Sequence, residues 1–305
     1  MKLSHLAGVV PIEVLRDAEF ESLGLLLHET PALLACLYEA SAGRRCAANE
    51  SVACVIAAPE LASFVPARLG LAVAGAPREA FLDAHRYLGS ETDFYGEGFS
   101  SEVAPEARIS PKAHVDERRV RIAAGCVIEP GAVVLGGSRL AGNVVVRAGA
   151  VVGAEGFHPV PYRDGLVNMP HYGSVRLGPG VEVGANAVVC RSVFADPTEV
   201  GEATMLGPLV YVAHGVRIGS RCRLAASARI AGSARLGDEV FVGPGAVVSN
   251  ALTVGDGARV SLGSVVARDV PAGTTVTGNF AVEHRRFLAA WRRQQELDEA
   301  GDDRG

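Results

Sequence analysis

Aromatic side chains are scarce in this chain: Phe, Trp and Tyr make up 6% of 305 residues, and there is one tryptophan. The hydrophobic content of 49% is therefore carried mostly by small aliphatics. That composition argues against large side chains packed helix on helix and suits short strands between tight turns. An excess of basic charge is also missing. The net charge is −5, so no overall positive field recruits nucleic acid or anionic lipid. No apolar run approaches the ~20 residues that span a bilayer. The opening MKLSHLAGVVPIEVLRDAEF turns acidic by Glu13 and has no long apolar core, so no signal peptide is expected. A soluble, cytoplasmic protein is the expectation. The six cysteines, at 36, 46, 54, 126, 190 and 222, include no CxxC pair. They read as buried thiols in a reducing compartment rather than as a disulfide scaffold.

What the chain has in abundance is a period of six. Val200, Leu206, Val212, Ile218, Leu224, Ile230, Leu236, Val242, Val248, Val254, Val260 and Val266 are all branched aliphatics. Glycine follows immediately at 201, 207, 219, 237, 243 and 255. The residue two before is often small, as at Thr198, Thr204, Cys222, Ala228, Ala234, Ala246, Ala258 and Ser264. An earlier phase runs Ile122, Ile128, Val134, Leu140, Val146, Val152, and a third Leu177, Val183, Val189. Six fits neither a 3.6-residue helix nor a two-residue alternation. It fits a coil with three short flat faces whose aliphatics point inward, with glycine expected to turn the corners. Three hexads close one coil, and stacked coils form parallel ladders roughly 4.8 Å apart. The fold class is thus mainly β, a parallel β-helix of hexapeptide repeats.

The period is broken twice. Residues 154–174 read as a loop extruded from the coil, and RSVFADPTEV (191–200) slips the count by one. Before the repeats, SVACVIAA (51–58) and LGLAVAG (69–75) read as buried strands. PREAFLDAHRYLG (77–89) reads as a helix, with Pro77 near its start and Gly89 past its end. The predicted organisation is a small α/β domain at 1–88 for nucleotide or substrate recognition, a linker at 89–104, the β-helix at 105–278, and a C-terminal helix and tail at 279–305. The last segment carries Val282, Phe287, Leu288, Trp291 and Leu297 near one face, an acidic tail expected to fray, and arginines 285, 286, 292 and 293. Those arginines suit a solvated face or a docking patch for an acidic partner.

The segments VVGAEGF (151–157), MPHYG (169–173), VEVGANAVV (181–189), VYVAHGVRIG (210–219) and IAGS (230–233) make the chain resemble the UDP-3-O-acylglucosamine N-acyltransferase family of lipid A biosynthesis. The resemblance is clear from about 105 to 290. It implies a left-handed coil, a homotrimer with active sites between subunits, and acyl transfer from a thioester to the amine of a nucleotide-linked sugar. The donor is a carrier protein or coenzyme A, and no permanently bound cofactor is implied. His214 takes the place of the family's catalytic histidine. A neutral imidazole suits the task, because an amine attacking a thioester must lose a proton. Gly232, one full coil further on, is expected to stack beside His214 and offer its backbone N–H to the oxyanion. Phe157, His158 and His171 in the extruded loop are expected to contact substrate.

The chain also departs from the family pattern. Gly207–Pro208 stands where the family has Asp–Asn, so the carboxylate that orients the imidazole is missing; Asp196, one coil below, is the expected substitute, ahead of Glu199 and Glu202. A second family histidine falls at Asn250–Ala251. The paired aromatics that hold uracil fall at Leu34 and Ala40, with Tyr38 nearby as the remaining substrate-binding candidate. No metal is expected, since positions 196 and 232 offer no second and third histidine around His214. The expectation is an N-acyltransferase on a nucleotide-linked amino sugar. The lipid A enzyme itself and a trimeric scaffold with weakened catalysis are the alternatives.

Overall fold

A computed structural model describes residues 1–278 and 281–302, with the side chains of 296–302 outside that description. The hexads wind into a left-handed parallel β-helix of three sheets, with nine, eight and eight strands of two to four residues. The register repeats at every third hexad: Val212 pairs with Ile230, Ile230 with Val248, Val248 with Val266. All twelve hexad aliphatics from Val200 to Val266 are buried, and they merge with the two earlier phases into one continuous core. Burying such side chains contributes roughly 1.5–3 kcal/mol each, which is what holds strands too short to persist alone.

The glycines after the aliphatics do a different job from the one expected. None of Gly201, Gly207, Gly219, Gly237, Gly243 or Gly255 has a left-handed backbone. A Cβ on Gly201 would lie 2.5 Å from the Gly219 carbonyl carbon, and one on Gly243 would lie 2.6 Å from Leu262 N. These glycines let successive rungs approach. The left-handed corner falls two residues later; glycine fills about half of the coil's corners, as at Gly125, Gly131, Gly215 and Gly245, and residues such as Ala203, Leu209, Arg221 and Glu239 fill the others.

Outward-facing positions differ between faces. One face carries Arg121, Arg139, Arg176, Glu199, Arg217 and Arg235. Another carries Val133, Val151, Val188, Tyr211, Val247 and Val265, interrupted by Arg229.

The first rung is Glu102–Val103, paired to Arg121–Ile122. The coil therefore begins inside the stretch read as a linker. Before it, five strands form a sheet in the spatial order Glu13–Arg16, Gly70–Val73, Val52–Ala57, Leu33–Leu37, Ser22–Leu23, parallel except at Glu13–Arg16. Helices α1 (Leu3–Leu6), α2 (Gly43–Ala48) and α3 (Pro77–Ser90) cover it. The strands expected at 51–58 and 69–75 are present, as is the helix. All six cysteines are free, and five are buried.

Both breaks in the period turn toward this domain. The predicted loop at 154–174 holds an antiparallel hairpin, Pro159–Tyr162 with Gly165–Asn168. It lies on α3 through Tyr162 Oη donating to Asp83 (2.9 Å) and Arg163 N–H donating to Glu79 (2.8 Å). At the second break Val189 pairs with Val212, 23 positions on, where an unbroken coil would place its partner at position 207. The slip is therefore an insertion of five, and it carries Val193 and Phe194 into the core of the N-terminal domain.

Gly89 is not a helix stop. It lies within α3, where a Cβ would collide with the Tyr172 ring. Its missing side chain lets the loop lie on the helix. The C-terminal helix α4 (His284–Asp302) leaves Phe287 and Trp291 exposed, with the two rings stacked at 6.4 Å, and Val282 just before it is exposed as well. Leu297 and the tail at 303–305 lie outside the described side chains.

Alanine favours helices over glycine by about 1 kcal/mol, yet Gly89→Ala is expected to destabilise the protein by ~1–3 kcal/mol through overpacking on Tyr172. Gly75→Ala, with nothing within 4 Å, is expected to change stability by less than ~0.5 kcal/mol. Denaturant melts of the two variants check this; equal midpoints would contradict the packing account.

Candidate active site

His214 sits in the turn between Tyr211–Val212 and Arg217–Ile218, at a corner of the coil. The turn is held from below, where Gly215, at φ +66°, donates its N–H to the buried Thr198 Oγ1 at 2.8 Å. It is held from above by Ser233 N–H donating to the His214 carbonyl at 3.0 Å. That bond places Gly232 directly over the imidazole. A Cβ on Gly232 would lie 2.6 Å from Cε1 and 2.8 Å from Nε2 of His214, so only glycine leaves the ring its place. The Gly232 carbonyl accepts from Ala251 N–H at 2.9 Å, while its own N–H has no acceptor among the described residues. The expected pairing of His214 with Gly232 is thus present in the fold.

Three more imidazoles converge here. His158 Nδ1 lies 3.4 Å from His214 Nε2, with ring centroids 5.0 Å apart. His171 meets the His214 ring edge to face at 5.4 Å. Its Nδ1–H donates to the Met169 carbonyl at 2.8 Å, which leaves a lone pair on Nε2. That Nε2 is buried and has no hydrogen-bond partner among the described residues; it lies against Gly156, where a Cβ would be 3.1 Å away. His28, from the N-terminal domain, lines the same cavity and accepts from Leu25 N–H at 3.3 Å.

Burial, followed by the neighbouring His158, His171 and His28, pushes the His214 pKa down to about 4. Burial also lowers those of His28, His158 and His171. At neutral pH, then, His214 is an uncharged base.

The cavity has a volume of about 190 Å³ and lies between the N-terminal domain and the coil. Arg217 and Arg235 give it a basic wall, and they pair with Asp196 and Glu29 at 3.2 Å each. Asp196 does not orient His214 in this structure: its Oδ2 accepts from Thr30 Oγ1 and from Arg217. The excursion that carries Asp196 moves it onto the N-terminal domain. Phe157 is 79% exposed and lies outside the cavity.

Tyr38 lines a separate, adjoining cavity of about 590 Å³ that shares Leu25, Leu27 and His158 with the first. Arg78 covers the Tyr38 ring at 3.6 Å and pairs with Glu39. His28, Thr198, Arg217 and Arg235 were not anticipated. The two arginines occupy outward hexad positions beside the His214 corner and were legible from the repeat. His28 lies where no period exists. Among the described residues, no set of three or more His, Cys, Asp or Glu is arranged to hold a metal ion.

A further imidazole locks the seam. His85 accepts at Nδ1 from Tyr95 Oη (2.7 Å) and donates Nε2–H to the Pro170 carbonyl (2.8 Å). Burial lowers its pKa to about 4. For each of these histidines the folded pKa lies below the free value of about 6.5. In that window the unfolded chain binds more protons, so stability is full above about pH 6.5 and falls as pH drops toward 4. Melting temperatures taken across this range are expected to decline, less steeply in His85→Gln. A flat profile would mean the imidazoles are not held neutral.

Residues 197–232 match the bacterial transferase hexapeptide (six repeats) family model. The UDP-3-O-acylglucosamine N-acyltransferase of Caulobacter sp. (strain K31) is 35% identical over 160 residues, 52% of this chain and 47% of that protein. The enzyme of the same name from Rhizobium meliloti (strain 1021) is 38% identical over 164 residues, 53% and 46% of the two chains. A solved Arabidopsis UDP-N-acetylglucosamine acyltransferase aligns with a TM-score of 0.46 at 23% identity, covering 59% of this chain and 70% of that one. The matched segment spans about half the length of the curated relatives. The chain carries the transferase hexapeptide repeat and, across that segment, is similar to UDP-3-O-acylglucosamine N-acyltransferases.

Proposed function

We propose that this protein is an N-acyltransferase that moves an acyl group from a carrier-protein or coenzyme A thioester to the amine of a nucleotide-linked amino sugar. The observation that carries this reading is an uncharged His214 lying on the bare Cα of Gly232, beside an unused backbone N–H, in a cleft with a basic wall. As the amine attacks the thioester carbonyl, His214 takes the amine proton. The developing oxyanion is stabilised by the Gly232 N–H, and the thiolate leaves with a proton returned by the imidazole. Arg217 and Arg235 suit the phosphates of a nucleotide. His158 borders the acceptor amine, His171 backs the His214 ring from a buried position rather than touching substrate, and Tyr38 with Arg78 lies toward the nucleotide.

The valine face at Val133, Val151, Val188, Val247 and Val265 is an apolar stripe suited to packing against two further copies in a homotrimer. Its corner adjoins His214, so a second subunit would complete the cleft. Carrier-protein or coenzyme A donors go with a cytoplasmic setting; among the described residues, no helix is long and apolar enough to cross a membrane.

The names of the relatives favour one specific version, the lipid A enzyme itself. Screening amino-sugar nucleotides against a panel of acyl thioesters, with products identified by mass, separates that version from a related substrate.

His214→Ala is expected to lower kcat by about 10²–10⁴-fold with the circular dichroism spectrum unchanged. Gly232→Ala, by displacing the ring, is expected to cost roughly 10²-fold or more. Undiminished thioester-dependent turnover in both variants would leave a scaffold as the better description. Removing residues 282–305, with their exposed Phe287, Trp291 and arginines, is expected to weaken carrier-protein donors more than coenzyme A donors. Steady-state kinetics with paired donors reads this, and equal loss with both would reduce the helix to a structural part.

A further inference from the structure

Among the described residues, the side chain within hydrogen-bond distance of His214 is another imidazole, not a carboxylate. We infer that His158 is a positioning residue for His214 and takes up its second ring proton during catalysis, an inference that rests on the acyltransferase reading.

His158 is held firmly enough for the task. Its N–H donates to Asn168 Oδ1 at 2.7 Å, and its carbonyl accepts from Met169 N–H at 2.9 Å. Asn168 Nδ2 in turn donates to the Gly156 carbonyl at 3.0 Å, closing the loop on itself. The nearest predicted carboxylate, Asp196, is committed to Thr30 and Arg217. Charge on His214 is unfavourable because the ring is half-buried and faces His171 and His28 as well as His158. Both rings are half-exposed, but burial is the one cause that lowers the His158 pKa, whereas His214 has three imidazoles set against its charge as well, so the charge is better placed on His158.

The proton path balances. The attacking amine gives its proton to His214 Nδ1 as the C–N bond forms, and the Nε2–H of His214 passes to Nδ1 of His158. The positive charge rests on His158 while His214 stays neutral. When the C–S bond breaks, His214 Nδ1–H protonates the departing sulfur and His158 returns its Nδ1 proton to His214 Nε2. One proton has moved from nitrogen to sulfur, and both rings are restored. The other ionisable groups facing this pair are His171 from the loop, His28 and Glu29 from the N-terminal domain, Asp196 from the second excursion, and Arg217 and Arg235 from the coil.

The test compares His158→Gln, which keeps a hydrogen bond but accepts no proton, with His158→Glu, which accepts one. Gln is expected to lower kcat by about 10–100-fold with KM changed by less than about threefold. The proton inventory in H₂O/D₂O mixtures should change from curved, for two protons in motion, to linear, and Glu should recover most of the rate. A His158→Gln enzyme with wild-type kcat and a curved inventory, in a background where His214→Ala is inactive, overturns the role of His158 and leaves the acyltransferase reading intact. If the wild type shows no thioester-dependent turnover, that reading fails instead. The pair is then read by ¹⁵N spectra of the histidine rings, where His158→Gln must shift the His214 titration; an unmoved titration overturns the coupling.

Discussion

The stacking of one branched aliphatic side chain on the next, coil upon coil, is the contact on which the rest of the molecule depends. A strand of two residues has almost no stability alone, and the coil contains little else. Its rungs persist because Val212, Ile230, Val248 and their like form unbroken interior columns, while backbone hydrogen bonds tie each rung to its neighbours. The same closeness explains the glycines beside those columns. Where Gly201 faces Gly219 across adjoining rungs, there is no room for a methyl group. The molecule accepts instead a left-handed backbone at residues such as Leu209 and Glu239, a strain of roughly 1–3 kcal/mol each. A regular column dense in contacts on both sides can bear it.

A coil this regular has uniform corners, and chemistry requires one corner to differ. Two interruptions create that difference. The hairpin at 159–168 brings His158 and His171 to His214, and the insertion before Val200 sends Phe194 into the N-terminal domain. Together they half-bury a histidine that would otherwise be a solvated turn residue. Burial is the leading cause of its low pKa, so an uncharged base follows from how the two domains meet and not from a particular neighbour. The seam is secured at a second point, where Tyr172 lies on the bare backbone of Gly89 and His85 bridges Tyr95 to Pro170. A carbonyl on one side and a hydroxyl on the other set the His85 tautomer, and that contact orients the loop that delivers His171.

The departures from expectation lie where the chain leaves the regular repeat or meets a distant segment. Asp196 was assigned to His214 by counting back one coil, but that count holds only where the coil is uninterrupted. The insertion removed the carboxylate from the corner and tied it to Thr30 and Arg217. Gly89 was read as a helix end because glycine commonly ends helices, whereas its role here is a tertiary contact with the ring of Tyr172, far along the chain. Phe157, immediately before His158, faces solvent.

The amino-acid sequence by itself determined the coil, its rung length, its buried columns and the stacking of Gly232 on His214. Each follows from a period of six imposed on aliphatic side chains, and a periodic pattern in one dimension maps directly onto a periodic structure. Tertiary structure alone decided that His28, His158 and His214 share a cavity with His171 packed against the His214 ring, and which groups each nitrogen meets. Those four come from the N-terminal domain, one excursion and the coil itself, so no spacing along the chain encodes their meeting. It arises only when two apolar surfaces, neither complete alone, close against each other and shut the water out.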